Sequence, residues 1–349
     1  MRRCLTSLLV VVAIAGAAPL FAQSKAKATN VPEIPFDSVA NFFKLPADVY
    51  FGEGIGVATN SKGHVFVYTR SGDTKILEFD QNGNYVREIG QGIYGLEFAH
   101  AVRVDSQDNI WAVDEGSNTI MKFNPEGRVT MVLGRRPEPM GGAFETILPA
   151  APAQKYNFGR QTDVGWDPQG NIFVSDGYVN SRVVKYDKNG RFLKDVGTRG
   201  NQPLQMNTPH SIAVDGQGNV YVGDRGNARV QVLNNDLTLK AIYDTVGNPW
   251  AVCVSGGSHQ YLYASNSWPD SSPATARDIT GEIYKMELNG TIVGRFGKAG
   301  KGLKEFSGVH EIDCRNPNEL YVSEIASWRV QKIQLRPMPQ NPTAQAAAR

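Results

Sequence analysis

The chain of 349 residues has little net charge, three cysteines and only five histidines. Its 36 lysines and arginines nearly balance its 34 aspartates and glutamates, which leaves a formal net charge of +2. Electrostatics therefore suggests neither nucleic acid nor an anionic membrane as a partner. Because histidine is so scarce, any histidine that recurs at one position of a pattern is informative.

Long apolar runs are also rare, and the clearest one lies at the N-terminus. Arg2-Arg3 precede an apolar run from Leu5 to about Ala18, and Leu20-Phe21-Ala22 follow it. This order predicts a secretory signal peptide over residues 1–22, cleaved after about Ala22. The run is short for a membrane span, although an uncleaved anchor is the alternative. We therefore expect an exported protein, periplasmic or secreted, without stable insertion in a membrane.

A repeated pattern of short strands begins at Gly54 and continues to the C-terminal region. Each copy has an apolar strand that ends in Asp or Asn, a tight turn, and a β-branched or aromatic strand. Two clear copies are 102–114 and 212–224. The pattern occurs six times, at a spacing of about 40–60 residues that is typical of propeller blades. The sequence predicts an all-β fold, a six-bladed β-propeller.

The ends of the chain suggest how this ring closes. The last copy leaves little sequence for a fourth strand, so we expect a strand from residues 36–51 to supply it. The predicted organisation is a signal peptide over 1–22, a disordered linker over 23–35, the propeller over 36–336, and a disordered Pro-rich tail over 337–349.

Three histidines occupy one register position of the repeat. Counting back from the end of each first strand, the six copies hold Ile55, His100, Thr162, His210, Trp250 and His310. First strands line the channel of a propeller, so histidines in alternate blades converge on its axis. Three neutral imidazoles with an open fourth position make a catalytic type of zinc site. The alternative is that histidine is merely a favoured turn residue here.

The same register argument places other groups at the histidine end of the channel. Loops between second and third strands lie there, and they carry Arg70 and Tyr178. Two long insertions, 135–157 and 268–281, fall on the same rim, where clustered loops commonly form binding sites. Arg70 could bind a carboxylate and Tyr178 could transfer a proton, although each is also consistent with an ordinary surface or packing role.

Register also bears on the cysteines that would remain after signal-peptide removal. Cys253 lies three residues after Trp250, whereas Cys314 lies four residues after His310. Opposite parity puts them on opposite faces of their sheets, so we expect two free thiols. Glu311 directly follows His310, and we interpret this position as acidic only in the last of the six copies.

At these residues a family resemblance emerges. The sequence of the repeat at 215–230 resembles the NHL-type propeller repeat. Over about residues 52–334 the sequence resembles the lyase domain of peptidylglycine α-amidating enzymes, peptidyl-α-hydroxyglycine α-amidating lyase. The most similar segments are Gln161–Val164, Ser175–Arg182, Pro209–Ser211 and Leu133–Arg135.

This resemblance implies a site and a reaction. It implies zinc on His100, His210 and His310. It further implies a structural calcium held by Glu311 and by the backbone carbonyls of Val57 and Val102. The implied reaction cleaves an N-acyl or peptidyl α-hydroxyglycine to an amide and glyoxylate, as a carbon–nitrogen lyase of the amidine/amide-lyase type. Zinc would acidify the carbinol hydroxyl, Tyr178 would act as general base, and Arg70 would orient the substrate carboxylate or tune Tyr178.

The sequence departs from the family at three of these positions. Glu311 stands where the family has Asp. Gly308 replaces a Met near the zinc, which is expected to widen the pocket. Val179 replaces a Cys, so that family disulfide is absent.

The leading hypothesis is an exported, monomeric, zinc-dependent lyase that acts on a small N-acyl or peptidyl α-hydroxyglycine. One alternative is a non-catalytic NHL propeller that binds protein or glycan. The other is a different metal-dependent propeller hydrolase or lactonase, against which the histidine-rich register argues.

Overall fold

The computed structural model describes residues 26–136, 154–268 and 280–338. Its strands form six four-stranded antiparallel sheets and two short parallel pairs. The innermost strands of the six sheets contact one another in a closed cycle around a central channel. This confirms the predicted six-bladed all-β propeller. Within the described ranges, no helix has the length and apolarity to cross a membrane.

The strands follow the repeat seen in the sequence. The first strand, β1, spans Phe36–Val39. Blade 1 contains β2 (Gly54–Thr59), β3 (Val65–Thr69), β4 (Lys75–Phe79) and β5 (Tyr85–Ile89). Blade 2 contains β6 (Ala99–Val104), β7 (Ile110–Asp114), β8 (Thr119–Phe123) and β9 (Val129–Gly134). Blade 3 contains β10 (Asp163–Trp166), β11 (Ile172–Asp176), β12 (Arg182–Tyr186) and β13 (Phe192–Val196).

The second half of the ring adds two short parallel pairs. The first is β14 (Thr198–Arg199) with β15 (Gln205–Met206). Blade 4 contains β16 (Pro209–Val214), β17 (Val220–Asp224), β18 (Arg229–Leu233) and β19 (Leu239–Tyr243), with a 3₁₀ turn at Arg225–Asn227. Blade 5 contains β20 (Val252–Val254), β21 (Tyr261–Ser265), β22 (Ile283–Glu287) and β23 (Ile292–Phe296). The pair β24 (Lys298–Ala299) and β25 (Glu305–Phe306) precedes β26 (Val309–Asn316), β27 (Glu319–Glu324) and β28 (Arg329–Leu335) of blade 6.

Burial explains why the second strands are almost wholly apolar. Every residue of β3, β7, β11 and β17 is buried, because a neighbouring blade covers each face. The outer strand β13, in contrast, exposes its three central residues. Apolar packing between blades therefore holds the ring together.

In blades 2, 3 and 4, the aspartate directly after the first strand makes the first turn of the blade. The Asp105 carboxylate accepts hydrogen bonds from the backbone N–H groups of Gln107 and Asn109 at 2.9 and 3.0 Å. Asp215 repeats these bonds in blade 4. Such side-chain-to-backbone bonds are the reason Asp favours tight turns.

The N-terminal strand closes the ring as predicted. Strand β1 pairs antiparallel with β28, with Phe36 opposite Leu335 and Val39 opposite Lys332. Blade 6 thus takes its outer strand from the other end of the chain, which joins the two termini of the propeller.

The described part of the predicted disordered linker, residues 26–35, differs from the prediction. The Ala28 N–H donates to the Thr245 carbonyl at 3.1 Å, and the Ile34 N–H donates to the Arg295 carbonyl at 2.8 Å. Ile34 is 5% exposed and belongs to the core between blades 5 and 6. Segment 26–35 forms only one isolated bridge, between Glu33 and Arg295, yet Ala28 and Val31 pack against the core of the ring. The predicted signal peptide and nearly all of the predicted tail lie outside the described residues.

The prediction of two free thiols is wrong, because Cys253 and Cys314 form a disulfide. Opposite parity does put the two side chains on opposite faces of their own sheets. Neighbouring blades, however, pack the front face of one sheet against the back face of the next. Opposite parity in adjacent blades therefore brings two side chains into the same interface, and both cysteines belong to the core cluster between blades 5 and 6.

Candidate functional site

The three register histidines meet on the channel axis. His100 is the second residue of β6, His210 of β16 and His310 of β26. Their ring centroids lie 4.6 to 4.7 Å apart, and one ligand atom from each lies within 4.8 Å of the others. All three side chains are buried. The spacing suits three ligands of one metal ion.

The intervening blades orient these imidazoles through their backbone. Nδ1 of His100 lies 2.6 Å from the Thr162 carbonyl, Nδ1 of His210 lies 2.7 Å from the Trp250 carbonyl, and Nδ1 of His310 lies 3.0 Å from the Ile55 carbonyl. A carbonyl only accepts, so each Nδ1 carries the proton and each Nε2 keeps its lone pair for the channel. The six register positions thus alternate between a histidine and the carbonyl that orients it.

The electrostatics keeps the histidines neutral. Burial lowers the pKa of each imidazole well below its ordinary value, and the neighbouring Arg225 lowers it further. Nε2 of His210 is a buried nitrogen without a hydrogen-bond partner among the described residues. Neutral, oriented imidazoles with a free lone pair fit a zinc ion.

Tyr178 lies beside the histidines, where the sequence placed it. Its hydroxyl is 3.2 Å from Nε2 of His100. The guanidinium of Arg160 stacks on its ring at 4.7 Å. Burial raises the pKa of Tyr178 above its ordinary value, and Arg225 opposes this effect. Without a metal, the phenol is therefore neutral, because burial outweighs the opposing effect of Arg225 and Arg70 on its pKa.

Arg70 also reaches this end of the channel, held by acidic neighbours. Its Nε donates to Glu53 at 2.7 Å and its Nη1 donates to the carbonyl of Ala99 at 3.4 Å, beside His100. Nη1 lies 3.7 Å from Glu115, and the Phe98 ring stacks against the guanidinium at 4.1 Å. Arg70 is thus a fixed positive charge near the histidines, not a mobile surface arginine.

Several charged residues of this site were missed from the sequence, and two of them, Glu115 and Arg225, share one register position. Each directly follows the second strand of its blade, which is the register position of Arg70. Buried Glu115 accepts a hydrogen bond from Arg160 at 3.1 Å, and burial raises the pKa of its carboxyl group. Arg225 packs over the rings of Trp250 and Tyr178 at 4.6 and 5.4 Å. Comparing that register position across all blades would have found both.

The expected widening of the pocket at Gly308 does not occur. A Cβ at this position would lie 2.3 Å from Cη2 of Trp268, so the indole already fills the space. Gly308 also has a φ of +69°, which favours glycine. The residue admits the Trp268 ring next to Trp250, whose ring centroid is 5.0 Å away.

The residues expected to hold calcium are arranged differently. Oε2 of Glu311 accepts hydrogen bonds from the backbone N–H groups of Val57 and Val102 at 2.8 and 3.3 Å. Its Oε1 lies 2.9 Å from Nε of Arg103, without a well-aligned hydrogen bond. Glu311 is not the only acidic residue of its register position, because Asp163 follows Thr162 as Glu311 follows His310. A guanidinium is already in contact with the carboxylate, so the residues as arranged do not fit a calcium ion.

Only the ends of the two long insertions are described. Arg136 forms an ion pair with Glu97 and stacks over the Tyr94 ring at 4.8 Å. The Gln154 and Asn157 carbonyls accept hydrogen bonds from Arg182 at 2.7 and 3.0 Å. Both anchors of the first insertion thus lie at the histidine end of blades 2 and 3.

Several known proteins are similar to this chain in sequence or in fold. Residues 206–233 match the NHL repeat family. The chain is 24% identical over 310 residues to a probable peptidyl-alpha-hydroxyglycine alpha-amidating lyase of Caenorhabditis elegans, covering 81% of this chain and 83% of that protein. It is 30% identical over 292 residues to the Xenopus laevis peptidyl-glycine alpha-amidating monooxygenase B. That alignment covers 77% of this chain but only 31% of the Xenopus protein.

Solved structures are similar to this chain in fold only. Virginiamycin B lyase from Staphylococcus aureus superposes with a TM-score of 0.56 at 10% identity, over 87% of this chain and all 100% of that one. The repeat, the blade arrangement and the relatives together support a place for the chain among NHL-repeat β-propellers, with sequence similarity to the amidating lyases.

Proposed function

We propose that the protein is an exported, zinc-dependent lyase that cleaves an N-acyl α-hydroxyglycine to an amide and glyoxylate. The observation that carries the proposal is the set of three buried, neutral imidazoles, each oriented by a backbone carbonyl and directed at one point. His100, His210 and His310 would hold the ion. Bound zinc would supply a Lewis acid that lowers the pKa of a hydroxyl group placed in its open position.

The arginines beside the histidines suit the carboxylate of such a substrate. Among the described residues, Arg70, Arg160 and Arg225 lie near two carboxylates, Glu53 and Glu115, so these five side chains together carry a net charge of +1. A guanidinium binds a carboxylate through paired, charge-assisted hydrogen bonds. These residues would orient the hydroxyglycine carboxylate and place its carbinol toward the histidines.

Tyr178 would be the group that moves the proton. In the reaction the carbinol loses its hydroxyl proton, the carbon–nitrogen bond breaks, and the departing amide nitrogen gains a proton. The Tyr178 hydroxyl, 3.2 Å from a histidine Nε2, lies where it can take the first proton and return it to nitrogen. Its phenolate is the accepting form, which Arg225 favours and burial disfavours.

The test has a metal arm and a chemical arm. Protein purified without chelator is expected to carry about one zinc ion per chain. It is expected to release glyoxylate from α-hydroxyhippurate, and His210→Ala is expected to lose both zinc and turnover. His259→Ala is the matched control, because His259 is exposed and pairs with Glu287 instead. Absence of zinc from the wild type, or equal rates in wild type and His210→Ala, would contradict the proposal.

A binding propeller without catalysis is the second candidate, favoured by exposed aromatic residues on the same rim. Tyr94 is 81% exposed and Trp328 is 58% exposed, and both lie in connections at the histidine end. That function predicts no turnover and an affinity for protein or glycan that Trp328→Ala and Tyr94→Ala weaken.

A further inference from the structure

We propose that Arg103 is the built-in cation of the channel: its guanidinium takes the place of a structural metal ion beneath the histidines and positions them. The first half of this proposal concerns the fold and stands by itself. The second half, positioning for metal binding, rests on the proposed function. Arg103 lies on β6, three residues after His100.

Arg103 is held by two buried carboxylates from two other blades. Its Nε and Nη2 donate to the two oxygens of Asp163 at 2.9 and 2.7 Å, a bidentate pair. Nε also lies 2.9 Å from Glu311, and Nη1 donates to the Ile312 carbonyl at 3.0 Å. The side chains of Asp163 and Glu311 are each 2% exposed. One guanidinium thus joins blades 2, 3 and 6 in a site sheltered from water, where charge pairing is strong.

The carboxylates extend this connection to further blades. Asp163 Oδ2 accepts from the Ser211 hydroxyl at 2.7 Å and from the Ile212 N–H at 3.0 Å, both in blade 4. Glu311 accepts from the N–H groups of Val57 in blade 1 and Val102 in blade 2. A Cβ on Gly56 would lie 2.8 Å from Glu311 Oε2, so glycine there leaves room for the longer glutamate side chain.

The same residues adjoin all three histidines in the sequence. Asp163 follows Thr162, whose carbonyl orients His100. Ser211 follows His210, and Glu311 follows His310. Fixing these three neighbours fixes the strand starts from which the imidazoles project. Arg103 is therefore a positioning residue, which acts on the metal site through Asp163 and Glu311.

Charge explains why an arginine and a divalent ion exclude each other here. A divalent ion beside Glu311 would stand next to the guanidinium, and the two positive charges would repel at short range. Removing Arg103 leaves two buried carboxylates and the Ile312 carbonyl around the vacated volume. Carboxylate and carbonyl oxygens are the ligands that calcium prefers. Arg103→Ala is therefore expected to turn a calcium-independent propeller into one that calcium stabilises.

The experiment measures thermal unfolding and bound metal with and without CaCl₂. Metal-stripped wild type is incubated in millimolar CaCl₂ and is expected to retain no calcium after gel filtration. Its Tm in CaCl₂ is expected to differ by less than about 1 °C from its Tm without CaCl₂. Arg103→Ala is expected to unfold at a lower temperature and to recover about 5 °C in CaCl₂ but not in NaCl of equal ionic strength. Asp163→Asn/Glu311→Gln added to Arg103→Ala should abolish the calcium response.

Positioning is read from the absorption spectrum of Co²⁺ bound at the histidines. Arg103→Ala is expected to alter the spectrum and weaken Co²⁺ binding by about 10-fold or more, and Arg103→Lys to restore part of both. Calcium retained by the wild type, with a Tm rise of several degrees, would overturn the proposal even if Arg103→Ala did not fold. An unchanged Co²⁺ spectrum in Arg103→Ala would overturn the positioning role. Failure of the wild type to bind Co²⁺ or Zn²⁺ would instead refute the proposed function and leave the calcium result interpretable.

Discussion

At the scale of single residues, the site depends on how a few polar atoms are held. Each histidine has one nitrogen committed to a backbone carbonyl, which leaves the other for the channel. Tyr178 differs, because its hydroxyl contacts a histidine and its ring packs against arginine. This arrangement suggests that the Tyr178 hydroxyl takes part in the chemistry while the ring serves packing. A substitution that removes only the hydroxyl oxygen separates the two roles.

Tyr178→Phe is expected to lower kcat for glyoxylate release by about 100-fold or more, since a positioned acid–base group typically contributes at least that factor. Zinc content and Tm should stay close to the wild-type values, because the ring and its packing remain. Tyr94→Phe, at an exposed tyrosine of the same rim, is the matched control. A kcat within twofold of the wild type in Tyr178→Phe would remove this residue from the chemistry.

At the scale of elements, the ring is held by contacts between segments far apart in the sequence. Strand β1 completes the blade formed at the other end of the chain, and segment 26–35 continues this attachment along blades 5 and 6. The disulfide between blades 5 and 6 links the same region covalently. The N-terminal segment and the last two blades thus share one core.

Ile34→Ala tests whether the segment before β1 is part of the folded ring. Ile34 is 5% exposed, so its truncation is expected to reduce the free energy of unfolding by about 2–4 kcal/mol. Ile242→Ala, at a residue that is 36% exposed, should cost well under half as much. Chemical denaturation measures both. Equal stabilities of Ile34→Ala and the wild type would restore the prediction of a disordered linker.

The disulfide is expected to stabilise the closed ring. Its cysteines are separated by 61 residues in sequence, and a cross-link of that span typically contributes about 2–4 kcal/mol. Cys253→Ala/Cys314→Ala should therefore show a lower denaturant midpoint under oxidising conditions. In reducing buffer, the wild type should approach the double variant. A midpoint insensitive to both treatments would show that packing between blades 5 and 6 is sufficient.

At the scale of the whole molecule, one channel brings together residues from all six blades. Three neutral histidines are buried there beneath several arginines. This concentration of positive charge makes protonation of the histidines costly, so stability and metal binding should both depend on pH.

The pH dependence has a definite sign. Burial depresses the pKa of all three histidines, so the unfolded chain binds more protons than the folded one below about pH 6.5. The stability they contribute is complete above that pH and is lost as the pH falls through the window below it. Metal-free wild type should therefore lose Tm between pH 7.5 and 5.5, and His210→Asn should lose less. An identical Tm–pH profile for the two proteins would contradict this account.

Much of the fold and part of the site followed from pattern alone. Strand alternation and the turn acids revealed six blades, and counting back from Asp105 or Asp215 put His100 and His210 at one position. Register locates a side chain along a blade because every blade repeats the same hydrogen-bonding ladder. For the same reason, Arg70 could be assigned to the histidine end of the channel. Glu115 and Arg225 occupy the register position of Arg70, so the same comparison would have assigned them to that end as well.

Contacts between blades were decided only by the tertiary structure. Cys253 and Cys314 pair because unlike faces of adjacent blades meet, and Trp268 fills the space that Gly308 leaves. Arg103 reaches Asp163 and Glu311 across the channel, so the position expected for calcium holds a guanidinium. Sequence determined the repeat, the ring and the convergence of the histidines, since these depend on spacing within one blade. The occupants of the space between blades depend on side chains distant in sequence, and only their packing in three dimensions shows which of them meet.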